Sequence, residues 1–101
     1  MRKITLYIDD IRPMPDCYDV CARTYSEAIE ILSTGNVIDV SFDHDLGEEL
    51  TGYDIAKWIE FRAANGFEPP CWRIHSANPV GRDNIKRAME NAERLYYGYV
   101  L

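Results

Sequence analysis

No stretch of this chain approaches the ~18 consecutive apolar residues of a membrane-spanning helix, so none of its 101 residues is expected to cross a bilayer. Basic charge is scarce: 11 Lys and Arg stand against 17 Asp and Glu, a net charge of −6. That balance argues against generic binding to the phosphate backbone of double-stranded DNA, though a small phosphorylated ligand could still sit in a locally positive pocket. Cysteine is sparse and odd in number (Cys17, Cys21 and Cys71), which excludes a disulfide framework and makes free thiols the expectation. The C-x3-C spacing of the first two would need His44 and His75 to complete a zinc site, and both histidines have better-motivated uses. A signal peptide is missing as well: MRKITLYIDD runs straight into a strand pattern, so a cytosolic, cytoplasmic location is the expectation. Histidine is the rarest of the reactive side chains, with two in the chain.

The 47% apolar fraction is enough for one core at this length. No repeat, low-complexity tract or linker interrupts the chain, so a single domain over 1–101 is expected. ITLYI reads as a short buried strand ending in Asp9 and Asp10, and YDVCA is a second apolar stretch. Thr24 and Glu27 have capping-box spacing at the start of a helix that Gly35 stops. VIDVSF is a strand that delivers Asp43, His44 and Asp45 at its end. TGYDIAKWIEFRAANG is a helix, with Ile55, Ile59 and Ala63 four residues apart and Thr51 to Asp54 as its cap. CWRI is a strand closed by His75 and Ser76, and either Asn78 or Asp83 starts a last helix through Ile85, Met89 and Ala92.

Alternating strands and helices predict an α/β domain with a mainly parallel sheet. One connection resists that pattern. Between the first two strands lie too few residues for a crossover helix, and two prolines in IRPMPD forbid one. An extended segment covers about 3.1 Å per residue, so residues 11–16 are expected to run back along the sheet where a helix would normally sit. Strand two would then be parallel to strand one.

In open α/β sheets, ligands bind at the carboxyl ends of the strands. Here those ends carry Asp9 and Asp10, then Asp43, His44 and Asp45, then His75, Ser76 and Asn78. Both histidines close a strand. Two imidazoles titrating near neutrality can serve as base and acid in phosphodiester cleavage, with neighbouring carboxylates Asp43 and Asp45 orienting them. Asp9, Asp10 and Asp43 are alternatively candidate ligands for a hard cation such as Mg2+. The run NPVGRDN at the start of the last helix offers Asn78, Gly81, Arg82 and Asn84 for holding a phosphate. Arg12 either joins them or neutralises Asp9 and Asp10.

The blocks LYIDDIR, VSFDHDLG, TGYDIAKWIE and RIHSAN resemble, in order, the response-regulator receiver fold. The resemblance implies a three-layer open sheet of about four strands in order 2-1-3-4, with the first receiver helix and the fifth strand missing. It places the acidic pair at Asp9 and Asp10, the phosphoacceptor position at Asp43 and the hydroxyl that ends strand four at Ser76. The fifth-strand lysine has no counterpart, and His44 and His75 lie outside the ordinary receiver pattern. The run D-D-x-R, D-H-D-L-G, T-G-Y-D and H-S-x-N-x-x-G-x-x-N is similar to the receiver-like group described as cyclic-phosphate-processing. That similarity implies a phosphodiesterase acting on cyclic phosphates of nucleotides or RNA ends, with His44 and His75 as acid and base. Ser76, Arg82 and Asn84 would hold the phosphate. The alternatives are a non-catalytic receiver-like module that binds a phosphorylated ligand or protein partner, and a hydrolase in which metal-bound carboxylates do the main work.

Overall fold

A computed structural model describes residues 2–98. Seven elements follow one another: β1 (Ile4–Ile8), β2 (Val20–Ala22), α1 (Tyr25–Leu32), β3 (Val37–Phe42), α2 (Gly52–Ala64), β4 (Cys71–Ile74) and α3 (Pro79–Tyr97). The four strands form one parallel sheet in the order β2-β1-β3-β4, as the receiver resemblance implied.

The helices begin where local chemistry allows. Thr24 accepts the Glu27 N–H at 3.1 Å, and the Glu27 carboxylate reaches back to the Arg23 N–H at 2.7 Å. The Asp54 carboxylate accepts the Thr51 N–H at 2.8 Å, closing the start of α2. Of the two residues that could start α3, Asn78 is the cap. Its side chain accepts the Gly81 N–H at 3.0 Å, and Pro79 takes the first helical position, where a missing N–H costs nothing.

Strand alternation sends Leu6, Ile8, Val40 and Phe42 to one face of the sheet. There they form a single core with Ala28 and Leu32 of α1, Ile55 and Ile59 of α2, and Ile85, Met89 and Ala92 of α3. All three helices therefore cover the same face. Tyr7 and Ser41, the alternate residues, are buried on the other side. The expected third layer is thin, because there the connection from β1 to β2 replaces a helix. Tyr18 in that connection packs on Tyr7 with ring centroids 5.4 Å apart, and Asp19 accepts the Thr5 N–H at 2.9 Å. Residues 13–15 have no regular structure, and β2 pairs with β1 in parallel. The second strand is shorter than its apolar stretch, since Tyr18 and Asp19 stay in the connection to make these contacts.

Candidate functional site

Three backbone bonds extend the sheet one residue past its strands. The Asp9 N–H reaches Ala22 O at 3.2 Å, the Asp43 N–H reaches Ile8 O at 2.9 Å, and the His75 N–H reaches Phe42 O at 2.9 Å. Asp9, Asp43 and His75 thus stand side by side in one row at the carboxyl ends of β1, β3 and β4. The following residues, Asp10, His44 and Ser76, form the next row. Successive side chains leave a strand on opposite sides, and this separates the two histidines.

His75 turns away from the helices. Its ring lies flat on Tyr7, with centroids 4.4 Å apart and planes 6° from parallel. Nε2 bonds Asp9 Oδ2 at 3.0 Å, and Nδ1 is 2.7 Å from Ser41 Oγ. An ionised Asp9 assigns the proton to Nε2, and Nδ1 then accepts the Ser41 hydroxyl. Both ring nitrogens are therefore engaged.

His44 lies on the helix side. Its Nδ1 bonds Asp45 Oδ1 at 3.0 Å, with the Asn78 amide 3.5 Å away, and its Nε2 has no partner among the described residues. The ring lies so close to α3 that a Cβ on residue 81 would meet His44 Cγ at 2.3 Å, which only glycine avoids. Gly52 has a similar part: its N–H donates to His44 O at 2.8 Å, and a Cβ there would fall 2.0 Å from Asp43 O. The hydrogen bond from His44, aided by Asn78, lowers the Asp45 carboxyl below its ordinary range. Asp45 is thus held ionised, which keeps the proton on Nδ1 and leaves the Nε2 lone pair without a partner among the described residues. The side chains of His44 and His75 are about equally exposed, 16% and 18%, so the two rings differ in their partners and not in burial.

Oxygens of Asp9, Asp10 and Asp43 lie within 4.8 Å of one another, the one such group of potential metal ligands among the described residues. The three carboxyls are not alike. Burial pushes Asp9 upward, but the Arg12 and Ile11 N–H groups on its Oδ1, together with His75, outweigh it and hold Asp9 below the usual value. Burial raises Asp43, and the negative charge of Asp9 adds to the rise. Asp10 Oδ2 sits 3.1 Å from where a Cβ on Gly47 would be, and Gly47 has φ +69°, so a side chain is doubly disfavoured there. Asp43 Oδ1 accepts the His44 N–H at 2.9 Å, and its second oxygen with the Asp10 carboxylate offers hard donors that fit a Mg2+-type cation, which is commonly held by one or two carboxylates.

The remaining predicted residues divide. Arg12 donates from Nη1 to His75 O at 2.9 Å and keeps Nε 3.8 Å from Asp9 Oδ2, so it ties the two strand ends together. Arg82 donates from Nη1 to Ile74 O at 3.1 Å and to Ser76 O at 3.0 Å. Because the His75 N–H points toward β3, the Ile74 carbonyl in the same peptide unit points off the free edge, and Arg82 covers that edge. Ser76 is buried, and its Oγ accepts the Asn78 N–H at 3.1 Å. The Gly81 N–H is used by the Asn78 cap, and Pro79 has none, so few amides at the start of α3 remain for an anion. Asn84 lines a groove between α2 and α3 with Tyr53 and Arg87, apart from the histidines.

Four residues that position the site escaped the sequence reading: Tyr7, Ser41, Arg23 and Glu48. Arg23 Nη1 donates to Asp9 O at 3.0 Å and Arg12 O at 2.6 Å, pinning the turn after β1. Glu48 accepts the Tyr25 N–H at 2.8 Å and, with buried Leu46, anchors the loop that carries Asp45. Ser41 had a signal, since it is a lone hydroxyl between Val40 and Phe42 in a strand buried on both sides.

A parallel 2-1-3-4 sheet with acidic residues at the ends of its first and third strands defines a receiver-like α/β protein. A family model described as the cyclic-phosphate processing receiver domain matches residues 4–91, and the chain belongs to that family. The family description associates this receiver domain with cyclic-phosphate processing. No curated protein and no solved structure matches the chain. Among the described residues, no helix is long and apolar enough to cross a membrane.

Proposed function

We propose that this protein opens a cyclic phosphate on a nucleotide or RNA end by hydrolysis, with His44 as the group that moves the proton. The observation that carries this reading is the unlike setting of the two imidazoles: His44 has an open Nε2 backed by Asp45, whereas His75 is bonded at both nitrogens. Nε2 of His44 takes a proton from water as the water oxygen bonds to phosphorus. The P–O bond to one sugar oxygen breaks, and the imidazolium returns the proton to that oxygen, leaving a phosphate monoester and a free hydroxyl. Asp45 stabilises the imidazolium in between.

His75 is a positioning residue in this scheme. It holds Asp9, and through Asp9 the turn that carries Asp10 and Arg12. The Nη2 and Nε groups of Arg82 and the outer donors of Arg12 remain for phosphate oxygens, because each guanidinium commits only Nη1 to short backbone bonds. Mg2+ at Asp10 and Asp43 would neutralise charge on those oxygens when bound. Three free cysteines suit a reducing, cytosolic setting.

The test follows adenosine 2′,3′-cyclic phosphate by 31P NMR. The expected result is a monoester signal with the parent protein and a rate about 10²- to 10⁴-fold lower with His44→Ala. A His44→Ala protein working at the parent rate overturns the assignment. No turnover, together with a phosphoryl mass gain from acetyl phosphate that Asp43→Asn abolishes, would favour the non-catalytic module instead.

A further inference from the structure

A cavity of about 360 Å³ opens at the amino end of the sheet, bordered by Lys3 before β1, Val37 of β3 and Cys71 of β4. That end is opposite the one that carries the histidines. Trp58, Arg62 and Phe67 also line it. Trp58 and Arg62 are four residues apart on α2 and so share a face. Gly66, with φ +91°, follows the end of α2 and turns the chain back, and the Phe67 N–H bonds Arg62 O at 3.1 Å. Phe67 is thereby brought onto Arg62, whose guanidinium carbon lies 3.8 Å from the Phe67 ring centroid and 5.0 Å from that of Trp58. These cation–π contacts engage the charge but not the N–H donors, and no described residue accepts a hydrogen bond from them. Phe67 and Ile38, which also lines the cavity, are half-exposed and lie outside the hydrophobic core.

We infer that this cavity is a binding site for a small organic monocarboxylate, with Arg62 holding the carboxylate and Trp58, Phe67 and Ile38 covering an apolar body. The last turn of α2 favours a positive charge, but a lysine would supply that equally well. A planar fork held against two rings, with its donors open, matches the two oxygens of a carboxylate. The charge of the lining agrees. Lys3 and Arg62 stand against one carboxylate, Glu68, which accepts the Tyr97 hydroxyl at 2.8 Å, in a chain of net charge −6. Two cations beside one carboxylate leave a place for one negative charge, so a phosphate dianion is the poorer match. The volume lies within the ~300–1,000 Å³ range of small-molecule sites, which combine apolar walls with a few placed polar groups. This site is independent of the cyclic-phosphate reading.

The experiment titrates the full chain with 1-naphthoate and with its uncharged counterpart 1-naphthamide, followed by 15N NMR of the Arg62 Nε–H and the Trp58 indole N–H. Both signals are expected to shift with 1-naphthoate, at an affinity about tenfold above that of the amide, as hydrogen bonds between charged partners give. Arg62→Gln should reduce 1-naphthoate to the affinity of the amide. Arg62→Lys should recover only part of the difference, because the charge remains and the fork does not. Arg87→Gln, at an exposed arginine of α3 outside this cavity, changes neither affinity. Equal affinity for the two compounds in the parent, an unshifted Arg62 signal, or full 1-naphthoate affinity in Arg62→Gln overturns the site. Displacement of 1-naphthoate by adenosine 3′-monophosphate would put the carboxylate at the His44 site and overturn it as well. The parent's own Arg62 and Trp58 signals decide the matter even where a variant fails to fold.

Discussion

Replacing Gly81 with alanine isolates the contact that orients His44. The new methyl would stand 2.3 Å from His44 Cγ, 2.6 Å from Cδ2 and 2.8 Å from Cβ. Optimal carbon–carbon separation begins near ~3.5 Å, so the ring must retreat by about 1.2 Å or rotate out of its place. Either movement loosens the 3.0 Å bond to Asp45 and redirects Nε2. Misplacing a reacting group by about 1 Å costs on the order of 10²-fold in rate. Stability should fall by about 1–3 kcal/mol, because the 2.8 Å approach to His44 Cβ is not relieved by turning the ring. The up to ~1 kcal/mol that Ala gains over Gly within a helix offsets only part of it. The assay pairs thermal unfolding with 31P NMR turnover of adenosine 2′,3′-cyclic phosphate. A fall of about 10²-fold is expected at a temperature where the variant, with its lowered Tm, is still fully folded. Full activity with unchanged His44 ring signals would refute the packing account, and loss of activity accompanied by unfolding would show Gly81 to be structural only.

Asp9 and Asp43 should respond to neutralisation with opposite signs. Asp9 has a lowered folded pKa, so its contribution is present above the ordinary carboxylate value and is lost as pH falls through the folded pKa. Asp9→Asn is expected to cost about 1–3 kcal/mol at neutral pH, with the difference from the parent shrinking in acid. Asp43 has a raised pKa, so its ionised form weakens the fold above that pKa and acid relieves the strain. Asp43→Asn should therefore raise Tm at pH 7, by denaturation in matched buffers, and lose that advantage below the folded pKa; equal signs for both variants would contradict the cluster electrostatics. Mg2+ should raise the Tm of the parent at neutral pH but not that of Asp43→Asn, and identical titrations would remove the cation from the account. His75→Gln should lower the rate while preserving the shape of the pH–rate profile, because His75 positions Asp9 and does not exchange the proton; a lost pH limb would make it an acid or base after all.

Much of this molecule can be read from the chain alone, and the reasons differ by level. The parallel sheet, the helix caps and the acidic strand ends follow from local patterns, with Pro13 and Pro15 forbidding the first helix and Asn78 one of two candidate starts for α3, whereas the strand order was implied by the family resemblance. The extended run in place of a helix between β1 and β2 was legible from the same prolines. The unlike roles of His44 and His75 were harder to see, because both occupy strand ends and their difference lies in one residue of register. Asp9, Asp43 and His75 share a row, and His44 belongs to the next, so the rings leave on opposite sides of the sheet. Arg82 reads as a phosphate grip from its neighbours in NPVGRDN, and what the chain did not reveal is its second task, holding Ile74 O and Ser76 O through Nη1 at the free edge of β4. Arg23 and Tyr7 could not be singled out, since their importance comes from contacts made across strands.

The central claim is that His44 Nε2, and not His75, meets the phosphate. The direct measurement is a 15N NMR titration of the two imidazoles with adenosine 3′-monophosphate at neutral pH. The account predicts a change at His44 Nε2 on binding, with the His75 nitrogens still reporting their bonds to Ser41 and Asp9. A shift confined to His75, with His44 silent at saturation, would contradict it.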